Sequence, residues 1–414
     1  MGTRGRVIAG IDTHKDSHVL CLLDGLGRKI LSDSFPANET GYQRLADTIG
    51  NPENCIVVGM EGTASFGAGL NAYLAAMDYK VVEVLRPKRD KRIKGKGKSD
   101  AIDAEIAARN AASGYGTSVP KSHNNWVEGI RVLMVARNLN VQTATKITNT
   151  VKSLIITAPE DMRAKYGKLN AKALMSRLSR SHSRAEDTAS DCLMSALQTL
   201  ARTWLELEKR SCELLERIES ILGKNAPALL ELPGCGAVNA ADLIIAAGGN
   251  PERLHSESAF ASFCGVSPIE ASSGQVTRHR LNRGGNRAAN RALHMIVVSR
   301  MRSDPRTAAY IERRTSEGKA KREIMRCLKR YVAREVYSAL LHPQDTKYPK
   351  GAELACARIL LGISQKEIAG RLGVSNARIS EIERGKRLHS ELRQRYQQFL
   401  SECRFSKELG VDTI

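Results

Sequence analysis

Aromatic side chains are scarce in this chain: six Phe, two Trp and ten Tyr in 414 residues. That disfavours a single-strand nucleic-acid binder built mainly on base stacking. The nine cysteines are odd in number and scattered, and none forms a C-x-x-C pair. A disulfide framework or a structural zinc site is therefore not expected, and the thiols are expected to be buried or free in a reducing cytoplasm. No apolar run approaches the roughly 18 residues of a membrane span, and no secretory signal opens the chain. Acid is also short: 44 Asp and Glu stand against 64 Lys and Arg, a net charge of +20. A cytoplasmic protein with a polyanionic partner and no membrane association is the expectation.

What is present is enough for a packed structure. Hydrophobic residues make up 42% of the sequence, and the length suits two or three domains. The charge is concentrated. Residues 86–98 (RPKRDKRIKGKGK) carry eight basic residues and one acid, and residues 278–334 carry 17 and four. Together these blocks account for the whole net excess, which favours nucleic acid over a merely solvated face. The candidate backbone contacts are Arg86, Lys88, Arg89, Lys91, Arg92, Lys94, Lys96 and Lys98 in the first block. In the second they are Arg278, Arg280, Arg283, Asn286, Arg287 and Arg291.

The first 115 residues alternate strand and helix signals. Arg6–Asp12, His18–Leu23 and Lys29–Phe35 read as three consecutive antiparallel strands separated by polar turns. A helix over Gly41–Ile49, a buried strand Cys55–Glu61, a helix over Phe66–Met77 and a strand Lys80–Leu85 follow. After the basic loop a helix starts near Ser99, a good N-cap. The order β-β-β-α-β-α-β-α is that of the ribonuclease H fold.

Residues 116–225 read as a helical region. One helix over 127–158 carries Ala144, Ile147, Val151 and Leu154. A longer signal at Leu193, Leu197, Leu200, Trp204, Leu207, Leu214, Ile218 and Ile221 averages 3.5 residues, broken at Ser211. This is a coiled-coil or helical-hairpin pattern, and either an intramolecular hairpin or a dimerisation arm satisfies it. Residues 226–345 form a further α-helical segment. There Leu232–Leu243 (LPGCGAVNAADL) is a helix-hairpin-helix pattern whose Gly234 and Gly236 would let backbone N–H groups approach a phosphate. Residues 350–414 form a separate tail. In it Leu361–Gly385 has helix starts at Ser364 and Ser375 around a Gly373 turn, with Ile368, Leu372, Val374, Ile379 and Ile382 as its core. That is a helix-turn-helix, with Ser375, Asn376 and Arg378 where base edges are read.

The acids carry the chemistry. Asp12 ends the first strand, Glu61 the fourth, and Asp100 and Asp103 lie three apart on the helix after the basic loop, hence on one face. A ribonuclease H topology gathers the four at one edge. Hard oxygen ligands suit Mg²⁺ or Mn²⁺, and two such ions about 3.5–4 Å apart clamp the attacking and leaving oxygens of a phosphodiester. Each acid taken singly would be a surface carboxylate or a cap. Gly97-Lys98-Ser99 imitates the end of a P-loop, but Arg92 stands where its opening Gly is required, so ATP is not implied. His14 and His18, in a strand-turn region, read as polar turn residues or substrate contacts and not as metal ligands.

Asp12, Glu61 and the string Lys98-Ser99-Asp100-Ala101-Ile102-Asp103-Ala104 resemble the DEDD insertion-sequence transposases, a group that includes bridge-RNA-guided recombinases and Piv-type invertases. Their catalytic domain is similar to RuvC, a ribonuclease H-fold resolvase. Leu232-Pro233-Gly234-Cys235-Gly236, the Phe263–Pro268 stretch, Ser272-Ser273-Gly274 and the Arg/Asn-rich helix resemble the family's second transposase domain. The resemblance covers about residues 5–335.

The resemblance implies a catalytic serine at Ser273, with Ser272 adjacent, which attacks DNA phosphate and forms a phosphoserine assisted by the acids and their metals. It also implies a homo-oligomer with composite sites. Its partners would be double-stranded DNA of the donor element ends and the target, and a structured non-coding RNA as guide. The helix-turn-helix tail departs from the family pattern and suggests added sequence-specific DNA binding. Two other readings stand beside this one: a RuvC-like endonuclease that hydrolyses DNA, and a non-catalytic helix-turn-helix regulator.

Overall fold

The structure is a computed structural model. It describes residues 5–84, 99–114, 116–122, 126–181, 188–270, 279–280, 282, 284–346, 351–384 and 390–408. Its contacts divide the chain into two units, Met1–Asn125 with Ala247–Leu254, and Trp126–Ala246 with His255–Ile414.

The first unit is built on a mixed sheet. Its elements are β1 (Val7–Thr13), β2 (Ser17–Asp24), β3 (Lys29–Pro36), α1 (Glu39–Ile49), β4 (Cys55–Met60), α2 (Ala68–Ala76), β5 (Val81–Val84), α3 (Asp100–Ser113) and β6 (Thr117–Ser118). The strand order is β3-β2-β1-β4-β5-β6. The first three strands are antiparallel, β4 and β5 run parallel to β1, and the short β6 closes the edge antiparallel to β5. The first five strands and their helices follow the order expected for a ribonuclease H-like fold. β6 was not foreseen, because two residues carry no periodicity.

Side-chain alternation gives the sheet two cores. Val7, Ala9 and Ile11 of β1, Leu20 and Leu22 of β2, and Val58 and Met60 of β4 pack with Leu45 and Ile49 of α1 and Leu70 and Leu74 of α2. The opposite face sets Ile8, Cys21, Leu23 and Val57 against Ala104, Ala108 and Ala111 of α3. On this second face the strands carry glycine where the helix crosses. A Cβ at Gly10 would lie 2.1 Å from the Ala104 carbonyl oxygen, and one at Gly59 would lie 2.5 Å from that of Ala107. Glycine below and alanine above thus bring α3 onto the sheet backbone. Residues 247–254 return to this unit. Asn250 accepts from Ser122 N at 2.9 Å and donates to Pro120 O at 3.0 Å.

The second unit is largely helical. It comprises α4 (Trp126–Ile156), α5 (Glu160–Tyr166), α6 (Ala171–Leu178), α7 (Thr188–Asn225), α8 (Pro227–Glu231), α9 (Ala237–Ala247), α10 (Glu257–Phe263), the short strands β7 (Ile269–Glu270) and β8 (His279–Arg280), α11 (Arg287–Ser303), α12 (Pro305–Ser316), α13 (Lys321–Leu341), α14 (Gly351–Leu361), α15 (Gln365–Leu372), α16 (Asn376–Glu383) and α17 (Ser390–Glu408). α4 and α7 pack along each other within the chain, with Ala144, Ile147, Val151 and Ile155 facing Leu197, Ala201 and Trp204. Trp204 Nε1 donates to Thr148 Oγ1 at 3.0 Å across this contact. Ser211, the break in the heptads, is buried on the same seam as Trp204 and Ile218.

The tail helices α14 to α17 share a core of Leu354, Ile368, Leu372, Ile379, Ile382, Leu392, Tyr396 and Leu400. Ser364 and Glu367 form a reciprocal capping box at the start of α15, and Gly373 ends it in the left-handed conformation at φ 66°. These are the features that stop one helix and restart the next in a helix-turn-helix.

Candidate active site and nucleic-acid surfaces

Asp12 lies in the last turn of pairing of β1, and Glu61 follows β4 directly. The parallel register matches Gly10 to Gly59 and Ile11 to Met60, so Asp12 and Glu61 continue it on the α3 face. Both are buried, at 7% exposure. The strand ends are tied together. Glu61 N donates to Ile11 O at 3.3 Å, and Thr13 Oγ1 donates to Glu61 O at 2.8 Å. Gly62 then turns the chain away at φ 66°.

The close seat of α3 on Gly10 brings its first turn over the end of β1. Asp100 is exposed there and Asp103, three residues on, is half-buried. Ser99 holds the N-cap position in extended conformation, but its side chain makes no capping hydrogen bond.

Between Asp12 and Asp100 stands His14, in the polar turn that joins β1 to β2. Its Nδ1 is 3.8 Å from Asp12 Oδ2, and its Nε2 is 3.8 Å from Asp100 Oδ1. One ligand atom from each of Asp12, His14 and Asp100 lies within 4.8 Å of the others. Two carboxylates and an imidazole at that separation fit a divalent cation. His14 is the residue sequence reasoning missed. Its neighbours are Asp12, two residues before it, and Asp100, far along the chain, and no local spacing reports the second. His18 lies on the other side of the sheet, fully buried and stacked on Tyr42 at 5.7 Å between ring centroids. Burial, and secondarily His14, pushes its pKa down.

The expected nucleic-acid contacts divide differently. Arg86, Lys88, Arg89, Lys91, Arg92, Lys94, Lys96, Lys98, Arg278 and Arg283 lie outside the described residues, as does the expected catalytic Ser273, and Arg280 falls in β8. The Leu232–Gly236 turn does join two helices, α8 and α9. Gly234, at φ 75°, packs on α11, where a Cβ would lie 2.9 Å from Ile296 O. Arg300 Nε holds the turn by donating to Pro233 O at 2.7 Å. Gly236 is exposed and opens onto free space. Gly234 is thus accounted for by packing, while Gly236 stands exposed just before the start of α9.

Asn286 caps α11 by accepting from Ala289 N at 3.0 Å, and Arg287 beside it is exposed. Arg291 is exposed and donates to the buried Asp242 at 2.8 Å. At the tail, Ser375, Asn376 and Arg378 are all exposed at the start of α16. The Ser375 hydroxyl makes no cap bond.

Comparison with known proteins agrees with this architecture. A transposase profile of the IS110 DEDD type matches residues 9–157. A second, described as "Transposase IS116/IS110/IS902 family", matches residues 226–312, and a helix-turn-helix profile matches 357–390. The "Insertion element IS110 uncharacterized 43.6 kDa protein" of Streptomyces coelicolor is 23% identical over 84% of this chain and 98% of its own length. The "Insertion element IS900 uncharacterized 42 kDa protein" of Mycobacterium paratuberculosis is 21% identical over 82% and 98%.

The chain belongs to the IS110 family of transposases. A DNA-processing enzyme with a DNA-binding helix-turn-helix near its C-terminus follows from that membership. Among the described residues no helix is long and apolar enough to cross a membrane.

Proposed function

We propose that this IS110-family transposase is a metal-dependent DNA recombinase. It cleaves and exchanges strands with Ser273 as nucleophile, works in the cytoplasm as a homo-oligomer, and is guided by a structured non-coding RNA. The observation that carries the metal-dependent part is the meeting of Asp12 and Asp100 across His14, with Glu61 in register beside Asp12. Asp12, Glu61, Asp100 and Asp103 would hold Mg²⁺ or Mn²⁺, as two ions. Such ions lower the cost of charge building on the phosphodiester oxygens.

Ser273 would lose its hydroxyl proton and attack the phosphorus. A P–O bond to the serine forms as the P–O bond to one sugar oxygen breaks. The freed sugar oxygen takes up a proton, and the phosphoserine keeps the ester's energy for rejoining to a new strand. The basic blocks at 86–98 and 278–334 suit a backbone-holding role, which is what guide pairing leaves to a protein. The exposed Ser375, Asn376 and Arg378 suit reading of base edges at the element ends or the chain's own promoter.

The test is a strand-exchange assay with purified full-length variants. Asp12→Ala, Glu61→Ala and Ser273→Ala should each abolish product while retaining nucleic-acid binding. Denaturing gels should show a protein–DNA adduct in the wild type. A Ser272→Ala/Ser273→Ala chain with full activity would refute the serine mechanism. One rival is a hydrolytic RuvC-like endonuclease, which would need only the acids, a metal ion and an activated water. That rival predicts cut DNA and no adduct. Sequencing the RNA that co-purifies with the chain tests guidance, and a structured RNA encoded beside its gene is the expected result.

A further inference from the structure

His14 is a side chain that an all-acid centre does not need. We propose that it is a nitrogen ligand at the Asp12–Asp100 site and that it sets the metal preference, favouring Mn²⁺ over Mg²⁺. The inference rests on the metal-dependent reading above and concerns which ion the site selects.

Three observations carry it. The imidazole stands between two carboxylates, with one ring nitrogen 3.8 Å from each. Its Nδ1 is buried and has no hydrogen-bond partner among the described residues, and the group nearest to it is the Asp12 carboxylate. Its backbone is fixed, because His14 N donates to Ser17 O at 3.0 Å in the tight turn between β1 and β2. A surface histidine serving only as a turn residue would have no reason to leave a nitrogen buried beside an acid.

Ligand chemistry then gives the direction. Mg²⁺ demands oxygen donors and near-ideal octahedral geometry, and it holds its waters tightly. Imidazole nitrogen suits first-row transition ions, and Mn²⁺ is the one that also keeps the carboxylate-and-water shell of Mg²⁺. Adding one nitrogen to an oxygen set should therefore leave Mg²⁺ affinity nearly unchanged and raise that of Mn²⁺ by about tenfold. The remaining acids, Glu61 and Asp103, keep an all-oxygen character for any second ion.

The experiment uses full-length, tag-free protein and Mn²⁺ alone. Electron spin echo modulation of bound Mn²⁺ should show nitrogen coupling in the wild type and none in His14→Ala or His14→Asn. Titration should show Mn²⁺ affinity falling about tenfold in both variants, with Mg²⁺ affinity changing by less than about twofold. Bound Mn²⁺ without nitrogen coupling in the wild type would overturn the inference and leave the metal-dependent reading intact. Equal losses for both ions in folded variants would overturn it as well. A wild type that binds no Mn²⁺ would remove the metal-dependent reading itself, and this inference with it.

Discussion

The first unit and the helix-turn-helix tail position their residues by opposite means. In the first unit, precision comes from taking side chains away. Gly10 and Gly59 let the backbone of α3 rest on the strands, and the alanines at 104, 107, 108 and 111 fill the seam with no loose rotamers. In the tail, precision comes from added polar bonds. A capping box starts α15. Arg358 pairs with Glu383 at 2.7 Å, and Tyr396 donates to the same carboxylate at 2.6 Å. A centre that handles reacting atoms tolerates little movement, so it is welded backbone to backbone. A reading head must hold its helix at the right angle and can do so with side chains that vary.

The contrast is broken most severely at Gly10. Gly10→Val would drive carbon into the Ala104 carbonyl, and we expect a loss of about 3 kcal/mol or more, with cleavage lost alongside. Thermal unfolding of the full chain measures it. Gly236→Ala is the control, since nothing lies within 4 Å of the added carbon. It should change stability by less than about 0.5 kcal/mol.

The next effect concerns Arg393 on α17, which is 1% exposed and pairs with Glu231 of α8 at 3.0 Å. Arg393→Met should cost about 3 kcal/mol, because a buried carboxylate loses its cation, and Arg393→Met with Glu231→Gln should recover most of that. Urea melts of the two proteins check this. The pair also bears on the tail's function. Deleting residues 350–414 would remove Arg393 from the buried Glu231 carboxylate, so point variants are the cleaner probe of DNA reading. Arg378→Ala should weaken binding to an element-end or promoter duplex by about tenfold while leaving Mn²⁺ binding unchanged. Gel-shift titration and the metal titration together decide it.

The smallest effect is one of pH. His18 is held neutral by burial, with its folded pKa below the unfolded value. The unfolded chain therefore takes up the proton first. The stability His18 contributes is fully present above about pH 6.5 and is lost as pH falls through its depressed folded value. His18→Phe keeps the stack on Tyr42 and should flatten the fall in melting temperature between pH 7 and 5.

Much of this was legible in the sequence because the signals were local. β1 to β5, α1 to α3 and the helix-turn-helix follow from periodicity and caps, and the acids follow from where those elements end. α4 and α7 were equally visible, but a heptad pattern names no partner, and only the structure shows that they pack on each other. Three features depend on distant pairing and left no local trace. His14 meets Asp100 across 86 positions of chain. Asn250 returns to Pro120 and Ser122. Arg393 finds Glu231 across 162 positions. The seat of Gly234 on α11 also left no trace of its own, because a glycine's sequence signal is the same whether a ligand or a helix comes close.

Metal-dependent strand cleavage by the cluster around Asp12 is the step proposed for this transposase. Its most direct test is strand exchange between an element-end duplex and a target duplex, with folded wild type and Asp12→Asn compared with and without Mg²⁺ or Mn²⁺. Product should form only from the wild type and only with a divalent ion, the variant being slower by about 100-fold or more. Product from Asp12→Asn at the wild-type rate, or from the wild type in chelator, would contradict it.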